Sequence, residues 1–296
     1  MLDFNTSVVI KIVSSLFFLV SGMIWKNLLL SQSKNYHFIF FRVLSTIFFL
    51  SIIIGLLKVF DCTIFSQISN NLITIKDWIF CISLCLFSFW GLYFYTNAIQ
   101  SGRYSFVTPL ITISASFSFV TSLLIYNERL SVAKYIAIAV IIIGLVIHQK
   151  NKLKYFKLSK EVVLILLCSV FWGVSSVFYL IPIKKFGVLN FSLILEFCVF
   201  ISCIGLLIFN EKTVYPPKIA TKSKWLCLLM GLMVAFGSLL GNFTLMQIPV
   251  SLNILIGLIF EMIVLIIGLF IFHENLSRND WLLIGIATIG SLLFLF

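Results

Sequence analysis

Ten runs of apolar residues, each near the length of a bilayer span, leave this chain few ways to fold. They cover 8–30, 38–57, 77–99, 104–126, 132–148, 162–182, 190–209, 224–246, 251–272 and 280–296. A helix needs about 20 such residues to cross a hydrocarbon core ~30 Å thick. Barrel strands are about half that length and alternate in polarity, and these runs do neither. Inside lipid every backbone amide needs an internal partner, which a helix supplies. Composition agrees, with 61% hydrophobic residues, 32 Phe and only 10% charged residues. A soluble fold of this make-up would have too little polar surface to face water. The expectation is an all-α integral membrane protein with ten transmembrane helices. It would be multi-pass in the cell (plasma or inner) membrane, its surroundings the lipid bilayer and a monomer sufficient. The first run reads as a membrane helix rather than a cleavable signal. Its flank holds Asp3 and a single Lys11, and no small-residue cleavage site follows.

A short sequence closes two of these runs. Asn127-Glu128-Arg129-Leu130-Ser131 follows the fourth, and His273-Glu274-Asn275-Leu276-Ser277 follows the ninth. The offset is 146 residues, and it also pairs Gly91 with Gly237, Ser105 with Ser251 and Gly144 with Gly290. The reading is two five-helix repeats, 1–148 and 162–296, joined by a basic connector at 149–161. Five is odd, so the second copy enters the membrane from the opposite side. Inverted halves of this kind leave a solute path between them near the midplane.

Ionisable residues inside such helices are few, and each asks for a reason, because a charge at mid-bilayer costs roughly 2.5–3.5 kcal/mol on insertion scales. Glu261 lies at the centre of the ninth run, and Asn253, Gly257 and Glu261 share one helix face. That stripe reads as cavity-facing. Glu261 then serves either as counter-charge to a cationic solute or as a proton-coupling carboxylate; the competing reading is an inert acid bonded to a neighbouring helix. Glu196 falls in the first third of the seventh run, where a pairing with Lys184 or Lys185 near the headgroups is expected. Glu128 and Glu274 stand at helix ends and read as structural, paired with Arg129, Lys134 or Arg278. Ser131 and Ser277 read as N-caps of the following helices. Gly144 and Gly290 read as sites of close helix packing.

Further stripes would wall a path: Trp90, Tyr93 and Asn97; Ser114, Ser118 and Thr121; Ser169, Trp172, Gly173 and Ser176; Ala235, Ser238 and Asn242. Aromatic faces with a few hydroxyls and amides suit a small amphipathic solute. The same residues equally suit close helix packing and interhelical hydrogen bonds.

No catalytic constellation is visible. The His residues 37, 148 and 273 are isolated, and the seven Cys lie scattered in helices without a Cys-x-x-Cys. They read as small buried hydrophobes, so no metal and no cofactor is expected. Without a phosphate loop the chain is no ATP-driven pump on its own. The net charge of +11 is carried largely by loops and implies no nucleic acid. Seven Lys/Arg fall on the side of the N-terminus and fourteen on the other. That count places the connector in the cytoplasm and both termini outside.

The chain resembles the drug/metabolite transporter superfamily, in its ten-helix EamA-like branch. Arg42 opens the second helix, Asn97-Ala98-Ile99 ends the third, and Thr108-Pro109-Leu110 lies early in the fourth. Glu128-Arg129-Leu130 ends the fourth, Trp172-Gly173 lies in the sixth, and Glu274-Asn275-Leu276 ends the ninth. The chain departs from the pattern where Trp25-Lys26 replaces a Trp-Gly pair in the first helix and Asn275 replaces Arg. Leu255 stands where Pro109 would have its partner. The resemblance implies that helices 1, 3, 4 and 6, 8, 9 line the central path. It also implies both termini inside, against the charge count. The function expected is secondary active transport of a small metabolite, an amino acid or amine-bearing solute, with proton coupling through Glu261 as one version. A proton-coupled exporter of toxic organic cations and a lipid-linked-sugar flippase subunit are the alternatives.

Overall fold

The computed structural model describes residues 3–29, 34–60, 72–101, 107, 110, 113–126, 132–133, 135–136, 139–140, 143, 160–213, 215–248, 250, 253, 256–257, 269–273 and 275–293. Its elements are α1 Phe4–Leu29, α2 Asn35–Val59, α3 Ile75–Ser101, α4 Ile113–Tyr126, α5 Lys160–Phe178, α6 Leu180–Phe186, α7 Val188–Glu211, α8 Thr221–Thr244 and α9 Arg278–Leu293. Among the described residues six helices, α1, α2, α3, α5, α7 and α8, are long and apolar enough to cross a membrane. The other four expected runs are described only in part, by α4, by helical residues within 132–143 and 253–272, and by α9. Glu261, Glu128, Ser131, Glu274, Gly144 and connector residues 149–159 lie outside the described residues.

The helices are apolar on all sides, as a lipid-facing helix must be. On α2, Phe38, Val43 and Leu50 are buried while Phe48, Ile52 and Leu56 point outward, all three more than two-fifths exposed. In water such exposed residues would be a liability; in lipid they are the solvated face.

Local chemistry sets the ends. Thr74 and Asp77 form a capping box: the Thr74 N–H donates to Asp77 Oδ2 at 2.9 Å and the Asp77 N–H to Thr74 Oγ1 at 3.3 Å. The box starts α3 two residues before the apolar run. The single expected helix 162–182 is instead two elements, α5 and α6. Pro182 has no N–H to continue the ladder, so the helix is reset at Tyr179. Gly187 then joins α6 directly to α7, its φ of 80° and ψ of 159° open essentially to glycine alone. Its N–H bonds the Ile183 carbonyl at 2.9 Å. At the far end of α7, Lys212 closes the helix in the left-handed region. α9 starts at Arg278, directly after Ser277, the residue read as its N-cap.

The chain packs as two compact units: Met1–Tyr93 with Phe178–Pro249, and Phe94–Val177 with Val250–Phe296. Each draws helices from both sequence halves. In the first unit α8 lies against both α1 and α2. Small residues allow the approach. A Cβ on Gly231 would collide with the Ser45 Cβ and come within 2.8 Å of the Thr46 nitrogen. Ser14 donates to the Gly237 carbonyl at 2.8 Å, tying α1 to α8. In the second unit Gly173 of α5 is pressed against α4, where a Cβ would meet the Ser114 carbonyl at 2.5 Å and the Phe117 Cβ at 2.7 Å.

Candidate functional site

Two polar clusters on α2 and α7 define the interior of the first unit. At the start of α2, one Glu211 oxygen, Oε1, receives three hydrogen bonds. They come from Lys34 Nζ at 2.9 Å, Tyr36 Oη at 2.9 Å and His37 Nε2 at 2.7 Å. Glu211 is the last residue of α7, so the start of α2 meets the end of α7. Hydrogen bonding to Glu211, and next to Tyr36, holds the Lys34 ammonium above the usual lysine range.

Deeper in, Arg42 Nη1 donates to both Glu196 oxygens at 2.8 Å. Each residue is about 4% exposed. As numbers rise along α2 their partners fall along α7, from Glu211 to Glu196, so the two helices run antiparallel. Arg42 is the eighth residue of α2 and Glu196 the ninth of α7. This corrects the expectation that Glu196 pairs at the membrane edge with Lys184 or Lys185. Because α7 begins right after Gly187, Glu196 is carried more than two turns inward. Lys185 instead faces Asp77 at 3.7 Å. Arg42, too, lies two turns into its helix rather than opening it. A neutral pair avoids the cost of one buried charge; removing either partner of such a pair costs about 3–5 kcal/mol. Sequence reasoning named both residues and missed the pair. The available signal was one basic and one acidic residue inside the second helix of each half, the only such charges well within those two runs.

The sequence-derived site residues distribute as follows. Trp90 and Tyr93 meet edge to face on α3, centroids 5.7 Å apart, and Phe89 stacks on Tyr93 at 6.3 Å. Asn97, one turn on, is half-buried. In the second unit Ser118 and Ser176 are in contact at 3.1 Å, and Ser118 donates to the Gly173 carbonyl at 2.8 Å. Ser114 forms part of that contact through its carbonyl, which accepts from Ser118 at 3.1 Å. Trp172 packs on Tyr95 with centroids 5.2 Å apart. In the first unit Asn242 is buried and donates to Ser192 Oγ at 2.9 Å. Asn253 is buried and helical, and among the described residues nothing lies within 4 Å of where a Cβ on Gly257 would be. Glu261, the residue that completes their stripe, lies outside the described residues. The six described Cys are buried thiols.

Helices of this length and apolarity define a multi-pass membrane protein. The sequence model of the EamA-like transporter family matches residues 6–148 and, a second time, 159–296. The chain belongs to that family, within the drug/metabolite transporter superfamily, and is by class a membrane transporter of small solutes. A solved crystal structure of a protein 13% identical covers 98% of this chain and 96% of its own, with a TM-score of 0.60; it shares the fold. No curated protein sequence matches the chain.

Proposed function

We propose that this chain is a secondary active transporter of a small metabolite, an amino acid or amine-bearing solute, in the cell membrane. Its solute path runs through ten helices arranged as two inverted five-helix repeats. Membership of the EamA-like family across both halves carries this reading. The antiparallel run of α2 against α7, second helices of the two halves, supports the inversion. Glu261 is the charge that selects the solute: it continues the stripe of Asn253 and Gly257, and nothing in the sequence offers a nucleotide-driven alternative. Trp90, Tyr93, Asn97, Ser114, Ser118, Trp172, Ser176 and Asn242 are the further candidates for lining the path.

The test is uptake by purified protein in liposomes, after a ligand has been found by thermal-shift screening of a metabolite library. Glu261→Gln keeps the side-chain shape and removes the charge, so folding survives and transport falls. Should the partner be a proton, the variant also loses pH dependence. Should it be a ligand amine, affinity drops by the ~1.5–3 kcal/mol of a charged hydrogen bond. A variant matching the wild type in rate, affinity and pH profile rules out both roles.

A further inference from the structure

The Arg42–Glu196 pair has an unusual geometry for a purely structural contact. A guanidinium meets a carboxylate best through two nitrogens, fork to fork. Here both Glu196 oxygens fall on Nη1 alone. Arg42 Nε is buried and has no hydrogen-bond partner among the described residues. A buried donor without an acceptor costs about 1–3 kcal/mol. Such orphans are rare in folded proteins and call for a reason. The edge of the guanidinium that carries Nε is one a planar carboxylate fits, and Glu196 leaves it unused.

We propose that the Nε edge of Arg42 is the seat for a carboxylate group of the transported solute, and that Glu196 balances the guanidinium charge while the seat is empty. When the solute carboxylate takes that edge, Glu196 accepts one proton, because two carboxylates on one guanidinium would leave a net buried charge. The interior starts as Arg⁺ with Glu⁻ and ends as Arg⁺ with a solute carboxylate and a neutral acid, so its net charge is zero throughout. That balance is what a low-dielectric site demands. It also limits the ligand: one guanidinium neutralises a monoanion, and a phosphate dianion would leave an excess charge. Among the described residues, the titratable groups near the pair are the Cys227 thiol of α8, near Arg42, and the Cys203 thiol on α7, near both. Glu196 is the carboxylate beside the seat, and so the acid placed to take the proton. The proposal rests on the transporter reading above and adds to it a carboxylate requirement and a proton-coupling residue distinct from Glu261.

Three probes sharing one branched apolar tail separate the two ideas: L-leucine, 4-methylpentanoate and 3-methylbutylamine. Binding to the full-length protein in nanodiscs is measured by calorimetry in buffers of different ionisation enthalpy, which reports protons taken up. The expected result is that leucine and 4-methylpentanoate both bind, 4-methylpentanoate with uptake of a proton and the leucine zwitterion, which brings its own positive charge, without one. Arg42→Lys keeps the charge and loses the fork, and weakens both by roughly tenfold or more, leaving 3-methylbutylamine unchanged. Glu196→Gln mimics the protonated acid. It binds 4-methylpentanoate more tightly than wild type above neutral pH, and without proton uptake. A merely structural pair would give neither effect. Should the single variants fail to fold, the paired change Arg42→Met with Glu196→Met removes both charges together; it is expected to bind the amine and not the carboxylates. Carboxylate binding that is equal in wild type, Arg42→Lys and the paired variant overturns the proposal, as does undiminished proton uptake in Glu196→Gln. If the amine alone binds, the Arg42 seat falls and the amine-solute reading stands. If 4-methylpentanoate binds as expected and the amine does not, the reverse holds. If none of the three binds, the carboxylate seat falls.

Discussion

Gly231 and Gly55 show how one residue type takes opposite roles within a membrane helix. Gly231 on α8 is pressed onto the backbone of α2, and an added Cβ would overlap Ser45. Among the described residues nothing lies within 4 Å of where a Cβ on Gly55 of α2 would be. Gly231→Ala is therefore expected to destabilise by about 1–3 kcal/mol through overpacking. Gly55→Ala is expected to be neutral or to stabilise by up to about 1 kcal/mol, since alanine is the better helix former. Melting temperatures of both variants in one detergent check the contrast; equal shifts would mean that α8 does not approach α2 as closely as described. The same scale shows how Ser118, one of the path candidates, is engaged. Its hydroxyl is engaged with the Gly173 carbonyl and Ser176, a packing contact that joins α4 to α5. Spacing alone placed Ser118 on a small-polar stripe with Ser114 and Thr121. Which neighbour that face meets is a tertiary fact that helical periodicity does not contain.

At the scale of elements, the decisive feature is the junction of α6 and α7. A run of apolar residues through 182 reads as one helix because hydropathy does not register a missing N–H. Pro182 ends that ladder and Gly187 restarts it in a conformation closed to other residues. This one-residue junction sets the depth of Glu196, and so decides that it meets Arg42 rather than a lysine at the membrane edge. Gly187→Ala is expected to cost about 1–3 kcal/mol of strain and to disturb the Arg42–Glu196 pair. Yield and thermal stability should fall, and an unchanged melting temperature would show that the junction relaxes freely. The start of α3 was equally within reach of sequence reasoning, since Thr74 and Asp77 form a capping box that hydropathy overlooks.

For the whole molecule, the packing units and the sequence halves are different divisions of the chain. The family match follows the halves, 6–148 and 159–296. The packing units each draw on both. Helices from the two halves therefore interleave, as α2 and α7 do within the first unit. If the halves are inverted, cysteines placed at Ser131 and Ser277 will be labelled by a membrane-impermeant reagent from opposite sides. Labelling of both from one side would rule inversion out.

The class of fold was decided by the sequence without help. A chain with ten apolar runs of bilayer length has no other stable solution, because lipid forces every backbone amide into an internal bond. The duplication was legible too, since Glu-x-Leu-Ser recurs at a fixed offset. Individual charges stood out against an apolar background, which is why Arg42, Glu196 and Glu261 could be named. Their partners could not be. Hydropathy gives each residue an approximate depth along its own helix, and it gives no helix a neighbour. Only packing brought the eighth residue of α2 to the ninth of α7. In that arrangement Arg42 Nε is buried and has no acceptor among the described residues. Long-range pairing follows from how small residues let particular helix faces approach, and that choice is made jointly by helices far apart in the chain.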